Sequence, residues 1–191
     1  PYYVNRLITN YLYKGPVLEW YLRIKLRLEN NYEIFDSLLP QRGHILDLGG
    51  GYGFLCYMLQ FLSSDRIVTG VDYDEDKIVT AQQGYARTER LSFVHSDVTR
   101  YPLTIYAGIV ISDVLHYLEP EAQDDLLTRC FNALGPEGVL IIRDGNADLK
   151  ERHVEAAGLG TAVLEKRGND WKIVHWHTSA PRRPPARPAP K

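Results

Sequence analysis

The residues whose types and spacing could do chemistry begin with the run His44-Ile-Leu-Asp-Leu-Gly-Gly-Gly-Tyr-Gly53. An acid, Asp47, precedes the glycines Gly49, Gly51 and Gly53, which sit between an apolar strand pattern and an apolar helix pattern. Glycines at such a junction let the backbone turn sharply and let a ligand approach the main chain without a Cβ in the way. A purely structural turn is the competing reading, and the spacing narrows which ligand is possible. A dinucleotide-binding fingerprint would need its third glycine at position 54, which is Phe54, so that class is disfavoured. A second acid, Asp72, closes the apolar run Ile67–Val71 and is followed by Tyr73. The next candidates are Asp97 and Val98 in Phe93-Val-His-Ser-Asp-Val98, then Ser112 and His116 in Gly108-Ile-Val-Ile-Ser-Asp-Val-Leu-His-Tyr117. His116 is the ionisable group there able to take a proton near neutral pH. Each has a bland alternative: a solvated turn for Asp72, a helix cap for Asp97, a packing residue for His116.

The elements that must position these groups alternate along the chain. Residues 1–39 read as helices, with Trp20, Ile24, Leu28, Tyr32 and Phe35 at helical spacing and Arg23, Lys25, Arg27 and Glu29 between them. Strands are expected at His44–Leu48, Ile67–Val71, Leu91–His95, Ala107–Ile111 and Gly138–Ile142, with helices over Tyr52–Leu62, Glu75–Tyr85 and Pro120–Leu134. Strands apolar on both faces and separated by helices imply an α/β fold, a Rossmann-like doubly wound, mostly parallel sheet with helices on both faces. Toward the end, Asp148–Ala157 suits a helix, and Thr161–Lys166 and Trp171–His177 flank the turn Arg167-Gly168-Asn169-Asp170, an antiparallel hairpin signal. The expected organisation is a helical cap over 1–42, a main domain over 43–178 and a disordered Pro/Arg-rich tail over 179–191.

Composition excludes several classes. With 45% hydrophobic and 24% charged residues in 191, the chain can bury a core and is not globally disordered. Residues 47–180 carry 20 acids against 12 Lys and Arg, a poor electrostatic match for nucleic acid. No apolar stretch approaches the ~20 residues of a membrane span. Cys56 and Cys130 are too few for a disulfide scaffold and lack metal-ligand spacing, which suits a reducing, cytoplasmic compartment. His153, His175 and His177 form no convincing metal set. The only methionine is Met58, so Pro1 reads as a cut from something longer, with adjacent domains expected.

The pattern D-x-G-x-G-x-G followed by an acid after the second strand, over residues 43 to about 145, resembles the class I S-adenosylmethionine-dependent methyltransferases. The resemblance implies S-adenosyl-L-methionine as cofactor, with Asp47, Gly49, Gly51 and Gly53 along its methionine and ribose portions and Asp72 accepting from both ribose hydroxyls. It places Tyr73 against the adenine, Asp97 and Val98 at the adenine edge, and Ser112 under the methionine portion. His116 becomes a candidate general base toward a hydroxyl acceptor, and the aromatic-rich N-terminal helices a candidate lid. The segment Tyr13–Glu29 is similar to methyltransferase domains of bacterial aryl-polyene and flexirubin-type pigment clusters, which implies a small-molecule, aromatic, carrier-bound acceptor. The stretch 162–178 instead resembles the closing strands of polyketide-cyclase-like domains. A non-catalytic cofactor-binding or scaffold domain of a larger biosynthetic enzyme stays open as the alternative, favoured by binding without turnover.

Overall fold

The computed structural model describes residues 2–28, 31–145, 159–167 and 170–179. The chain opens with three helices, α1 (Tyr2–Asn10), α2 (Pro16–Leu28) and α3 (Asn31–Leu38). Then come β1 (Gly43–Leu48), α4 (Phe54–Leu62), β2 (Arg66–Asp72), α5 (Glu75–Gln82), β3 (Leu91–His95), β4 (Tyr106–Ser112), α6 (Pro120–Ala133) and β5 (Leu134–Gly145). The last two elements are β6 (Leu159–Arg167) and β7 (Asp170–Ser179). One seven-stranded sheet runs in the order β3-β2-β1-β4-β5-β6-β7. Strands β1 to β5 pair in parallel, whereas β6 is antiparallel to β5 and β7 antiparallel to β6. The architecture is the mostly parallel, doubly wound sheet with a C-terminal hairpin that the apolar runs imply.

Alternation along β1 explains the two layers. Ile45 points into a core built with α1 to α5, and its neighbours Leu46 and Leu48 point into a second core with Leu126, Cys130 and Ala133 of α6. Reversal of strand order falls between β1 and β4, where ligands of open α/β sheets bind beyond the carboxyl ends of the strands.

The N-terminal helices are tied to this frame by polar contacts that no pattern announces. Arg66, fully buried at the start of β2, pairs with the Asp36 carboxylate of α3 and donates to the carbonyls of Leu39, Pro40 and Leu59. Buried guanidinium charge is tolerated only with such complete partnering. The Tyr11 hydroxyl, also buried, donates to the carbonyl of Tyr52 in the glycine loop. Asn10 Oδ1 accepts from the Ala86 amide at 2.6 Å.

Differences from the sequence reading are local. On α2 the buried face is Leu18 and Leu22, while Trp20 and Ile24 of the expected apolar stripe are 67% and 48% exposed. Both sets recur at helical spacing, so periodicity alone could not choose between the faces. Helices α4 and α5 are shorter than expected: Tyr52 and Gly53 are spent on the turn, and α5 ends at Gln82. Strand β5 continues through the Gly135-Pro136 break, with a register irregularity opposite it between Tyr106 and Gly108. The expected helix over 148–157 and the Pro/Arg-rich tail lie outside the described residues. Among the described residues, no helix is long and apolar enough to cross a membrane.

Candidate functional site

A cavity of about 780 Å³ opens at the carboxyl edge of the sheet, under the β1, β2, β3 and β4 ends and beside α2 and α3. Asp47, Gly49, Gly51, Asp72, Tyr73, Asp97, Val98 and Ser112 all line it. Gly53 sits just behind the wall as the residue before α4, and His116 is not among the lining residues although its neighbour Tyr117 is.

The glycine loop is held to the strand ends through its amides. Gly49 and Gly50 donate to the Val71 carbonyl at 2.8 and 3.0 Å. Gly51 and Gly53 have φ of 54° and 76°, left-handed values that favour glycine. A Cβ at Gly53 would stand 2.4 Å from the Phe93 ring, so packing alone demands glycine there. At Gly51 the nearest atoms would be 3.9 Å away, on Asp72 and Lys77, so a side chain would project into the cavity.

Asp72 closes the loop. One carboxylate oxygen accepts from the Gly51 amide at 2.7 Å and the other from the Asp74 amide at 2.9 Å. Each oxygen keeps a further lone pair toward the cavity, where two adjacent hydroxyl donors could be accepted. Tyr73 beside it is 78% exposed and forms an edge contact with His95. Asp97 accepts from the Thr99 amide at 2.9 Å and the Thr99 hydroxyl at 2.7 Å, and these bonds hold its carboxyl below the usual range. It therefore caps the following turn and lines the cavity at once.

Deeper in, the environment changes. Asp47 is 2% exposed, and burial pushes its carboxyl up to about 7; the nearby Asp72 charge acts in the same direction. The Cys56 thiol donates to Asp47 Oδ2 at 3.3 Å, and Lys25 of α2 opposes the rise electrostatically. Burial raises the Cys56 thiol well above its ordinary value, so it remains a neutral donor. At the end of β4, Arg143 Nη1 donates to Asp113 Oδ2 at 2.6 Å and to Ser112 Oγ at 3.2 Å. Asp113, with φ of 57°, is fixed further by its amide bond to the Arg143 carbonyl at 2.8 Å.

His116 lies in a short 3-10 turn, Leu115–Tyr117. Its Nδ1 is 2.6 Å from Asp144 Oδ1, and the Leu115 amide donates to Asp144 Oδ2 at 2.7 Å. A carboxylate can only accept, so Nδ1 is the donor in this contact, and in a neutral ring Nε2 would be the accepting nitrogen.

Sequence reasoning missed Lys25, Tyr52, Lys77 and Arg143. Lys25 looked like one more cation on a solvated helix face, and Arg143 like the end of an apolar strand. Lys77, three residues after the helix-capping Asp74 and paired with it at 3.3 Å, had a local signal in that spacing.

Comparison with known proteins is consistent with this geometry. A family model described as a methyltransferase domain matches residues 45–138, and one described as a SnoaL-like domain matches residues 140–183. The second falls on β5 to β7, the stretch that includes the polyketide-cyclase resemblance. A carboxy-S-adenosyl-L-methionine synthase of Campylobacter concisus is 24% identical over 115 residues, 60% of this chain and 49% of that protein. The chain thus spans about half the length of the curated relatives it matches. Among solved structures, human N-acetylserotonin methyltransferase with S-adenosylmethionine aligns at a TM-score of 0.55 and 21% identity, covering 72% of this chain and 40% of that one. The plantazolicin methyltransferase BpumL with S-adenosylhomocysteine gives 0.54 and 21%, covering 78% and 61%. These likenesses establish the fold.

Proposed function

With residues 45–138 forming a class I S-adenosylmethionine-dependent methyltransferase domain, we propose that this chain transfers a methyl group from S-adenosylmethionine to a small-molecule hydroxyl acceptor. The observation that carries the reading is the convergence of eight separately placed residues, from four strand ends, on one cavity. The residues present fit the cofactor. Asp72 offers two acceptor oxygens for a ribose diol, Gly51 leaves open space beside it, and Asp97 and Tyr73, which line the same cavity, are assigned to the purine edge and face. Asp47 and Ser112 form the floor at the amino-acid end.

Bound S-adenosylmethionine supplies an electrophilic methyl on a positively charged sulfur. The chain's own part is to bind, orient and exclude water. Helices α2 and α3 bring Tyr21, Tyr32 and Phe35 to the cavity wall, where the Tyr21 ring lies 6.0 Å from that of Tyr52 in the glycine loop and 6.2 Å from that of Phe54 in α4. Such aromatic walls suit both a sulfonium and a flat aromatic acceptor. Alignment of the acceptor with the methyl–sulfur axis supplies most of the acceleration. His116, with Nδ1 held by Asp144 and its neighbour Tyr117 in the cavity wall, is assigned the role of proton acceptor at Nε2 for the acceptor hydroxyl. The acceptor's aromatic, carrier-bound character, a cytoplasmic setting for the two free thiols, and adjacent domains in the parent protein belong to the same proposal.

Calorimetric titration with S-adenosylhomocysteine, followed by transfer of labelled methyl from S-adenosylmethionine to a panel of hydroxybenzoates and hydroxycinnamates, tests it. Binding with transfer to a phenol is the expected outcome. Binding with no transfer to any of them would favour the non-catalytic scaffold, and no binding would defeat the reading.

A further inference from the structure

Helix α2 is apolar on two sides. Leu18 and Leu22 are buried in the core. On another face Val17, Trp20, Tyr21 and Ile24, spaced i, i+3, i+4 and i+7, are 83%, 67%, 47% and 48% exposed. A helix apolar on more than one side ordinarily has each side covered, and large exposed apolar side chains rimmed by charge mark an interaction site. Tyr21 also lines the cavity, so the stripe runs up to the cavity's edge.

Charge and area narrow what covers the stripe. Residues 14–27 hold four cations, Lys14, Arg23, Lys25 and Arg27, against one acid, Glu19, which pairs with Arg23 at 2.8 Å. Residues 47–180 carry 20 acids against 12 Lys and Arg. The stripe thus lies in a basic strip on an acidic body, with Lys14, Arg23 and Arg27 exposed around it. Its four side chains expose roughly 500 Å², short of the ~800 Å² that each partner gives to a stable protein interface. A convex ridge of Trp, Tyr and aliphatic residues flanked by Arg and Lys instead suits a helix lying shallowly in the interface of an anionic bilayer.

We propose that the outer face of α2 docks this protein on an anionic membrane surface, with Val17, Trp20 and Ile24 entering the headgroup region and Lys14, Arg23 and Arg27 meeting lipid phosphates. The docking is peripheral and reversible, because one short stripe supplies only modest membrane affinity. It goes beyond the methyltransferase reading. Only its consequence rests on that reading: an acceptor dissolved in the lipid would reach the cavity from the Tyr21 side.

Sedimentation with phosphatidylcholine vesicles containing about a quarter phosphatidylglycerol, against phosphatidylcholine alone, tests the surface. The proteins are the parent and Trp20→Gln/Ile24→Gln, whose two positions are exposed and outside the cavity wall, so its circular dichroism should match the parent's. The parent should pellet with the anionic vesicles, the variant roughly tenfold less. Binding should weaken between about 0.1 and about 0.5 M salt, and a blue shift of tryptophan emission should occur in the parent alone. Lys14→Gln/Arg27→Gln should reduce binding to the anionic vesicles toward that to phosphatidylcholine. No pelleting with anionic vesicles would leave the stripe to a protein partner and overturn the proposal. So would a dimer in solution that the Trp20→Gln/Ile24→Gln change splits, because a second copy would then cover the stripe. Undiminished pelleting of that variant would move the contact elsewhere, to Arg182, Arg183 and Arg187 for example, and equal pelleting with both vesicle types would remove the role of charge; either result overturns it. Vesicle binding by a parent that fails to bind S-adenosylhomocysteine keeps the docking surface and defeats the methyltransferase reading instead.

Discussion

The two ends of the cavity are built differently. At the end proposed for the nucleoside, Asp72 and Asp97 sit at the rim and are wired by short bonds from the amides of Gly51, Asp74 and Thr99. At the end proposed for the amino acid, Asp47 is buried beneath the loop, a thiol is the donor it has among the described residues, and burial pushes its carboxyl up to about 7. Acceptors preset by backbone donors make a rigid grip. A buried carboxyl with few donors becomes a good acceptor for an ammonium only once it ionises, so the deep end is the one that conditions can tune.

The largest expected break in this comparison is at the junction of the two ends. Gly51→Val places a branched side chain at a left-handed position that opens onto the cavity, and should abolish S-adenosylhomocysteine binding in calorimetry while the circular dichroism of the sheet persists. Undiminished affinity would show that the loop does not touch the ligand.

Next in size is His116→Ala. Positioned proton transfer is typically worth ~10²–10⁴ in rate, so turnover on a phenolic acceptor should fall by that order with cofactor affinity unchanged. Asp144→Asn should produce part of the same loss by releasing Nδ1. Full activity in both variants would leave catalysis to alignment alone.

Asp72→Ala should cost about 2–4 kcal/mol of binding, through the lost acceptors and through release of the Gly51 and Asp74 amides. The loss should be the same for 5′-methylthioadenosine, which keeps the adenosine and thioether but has no amino-acid group. A loss confined to S-adenosylhomocysteine would move Asp72 to the wrong end of the cavity.

The smallest effect concerns Asp47. Its folded value of about 7 lies above the ordinary 3.8, so its contribution to folding stability is fully present below pH 3.8 and is lost as pH rises through 7. Ammonium binding has the opposite sign, because it needs the ionised form. S-adenosylhomocysteine affinity should therefore rise by up to about tenfold per pH unit below 7 and level off above it. Asp47→Asn should bind weakly and with a flat profile, yet melt at a higher temperature than the parent at pH 8, an advantage that shrinks toward pH 5. A parent profile flat from pH 6 to 8 would mean that the deep end is already ionised.

Much of this was legible in the chain. The apolar runs at 44–48, 67–71 and 107–111 read as buried strands, and the acid-glycine spacing at 47–53 with Asp72 behind it pointed to the loop that lines the cavity. These are local signals, carried by residues adjacent in sequence. The orientation of α2 was not legible, because Leu18 and Leu22 compete with Trp20 and Ile24 for the buried face and both sets have the right period. Only packing of Leu18 and Leu22 into the core shared with α1 and the sheet decides between them, and that choice turns Lys25 from a surface charge into a cavity wall. The pairing of Arg143 with Asp113 and of His116 with Asp144 likewise needs β5 to lie beside β4 in register. The sequence by itself determined the sheet, the loop and the acids along its edge. The tertiary structure decided which of those acids are buried and which cations face them, because desolvation and charge proximity depend on neighbours that lie far apart along the chain.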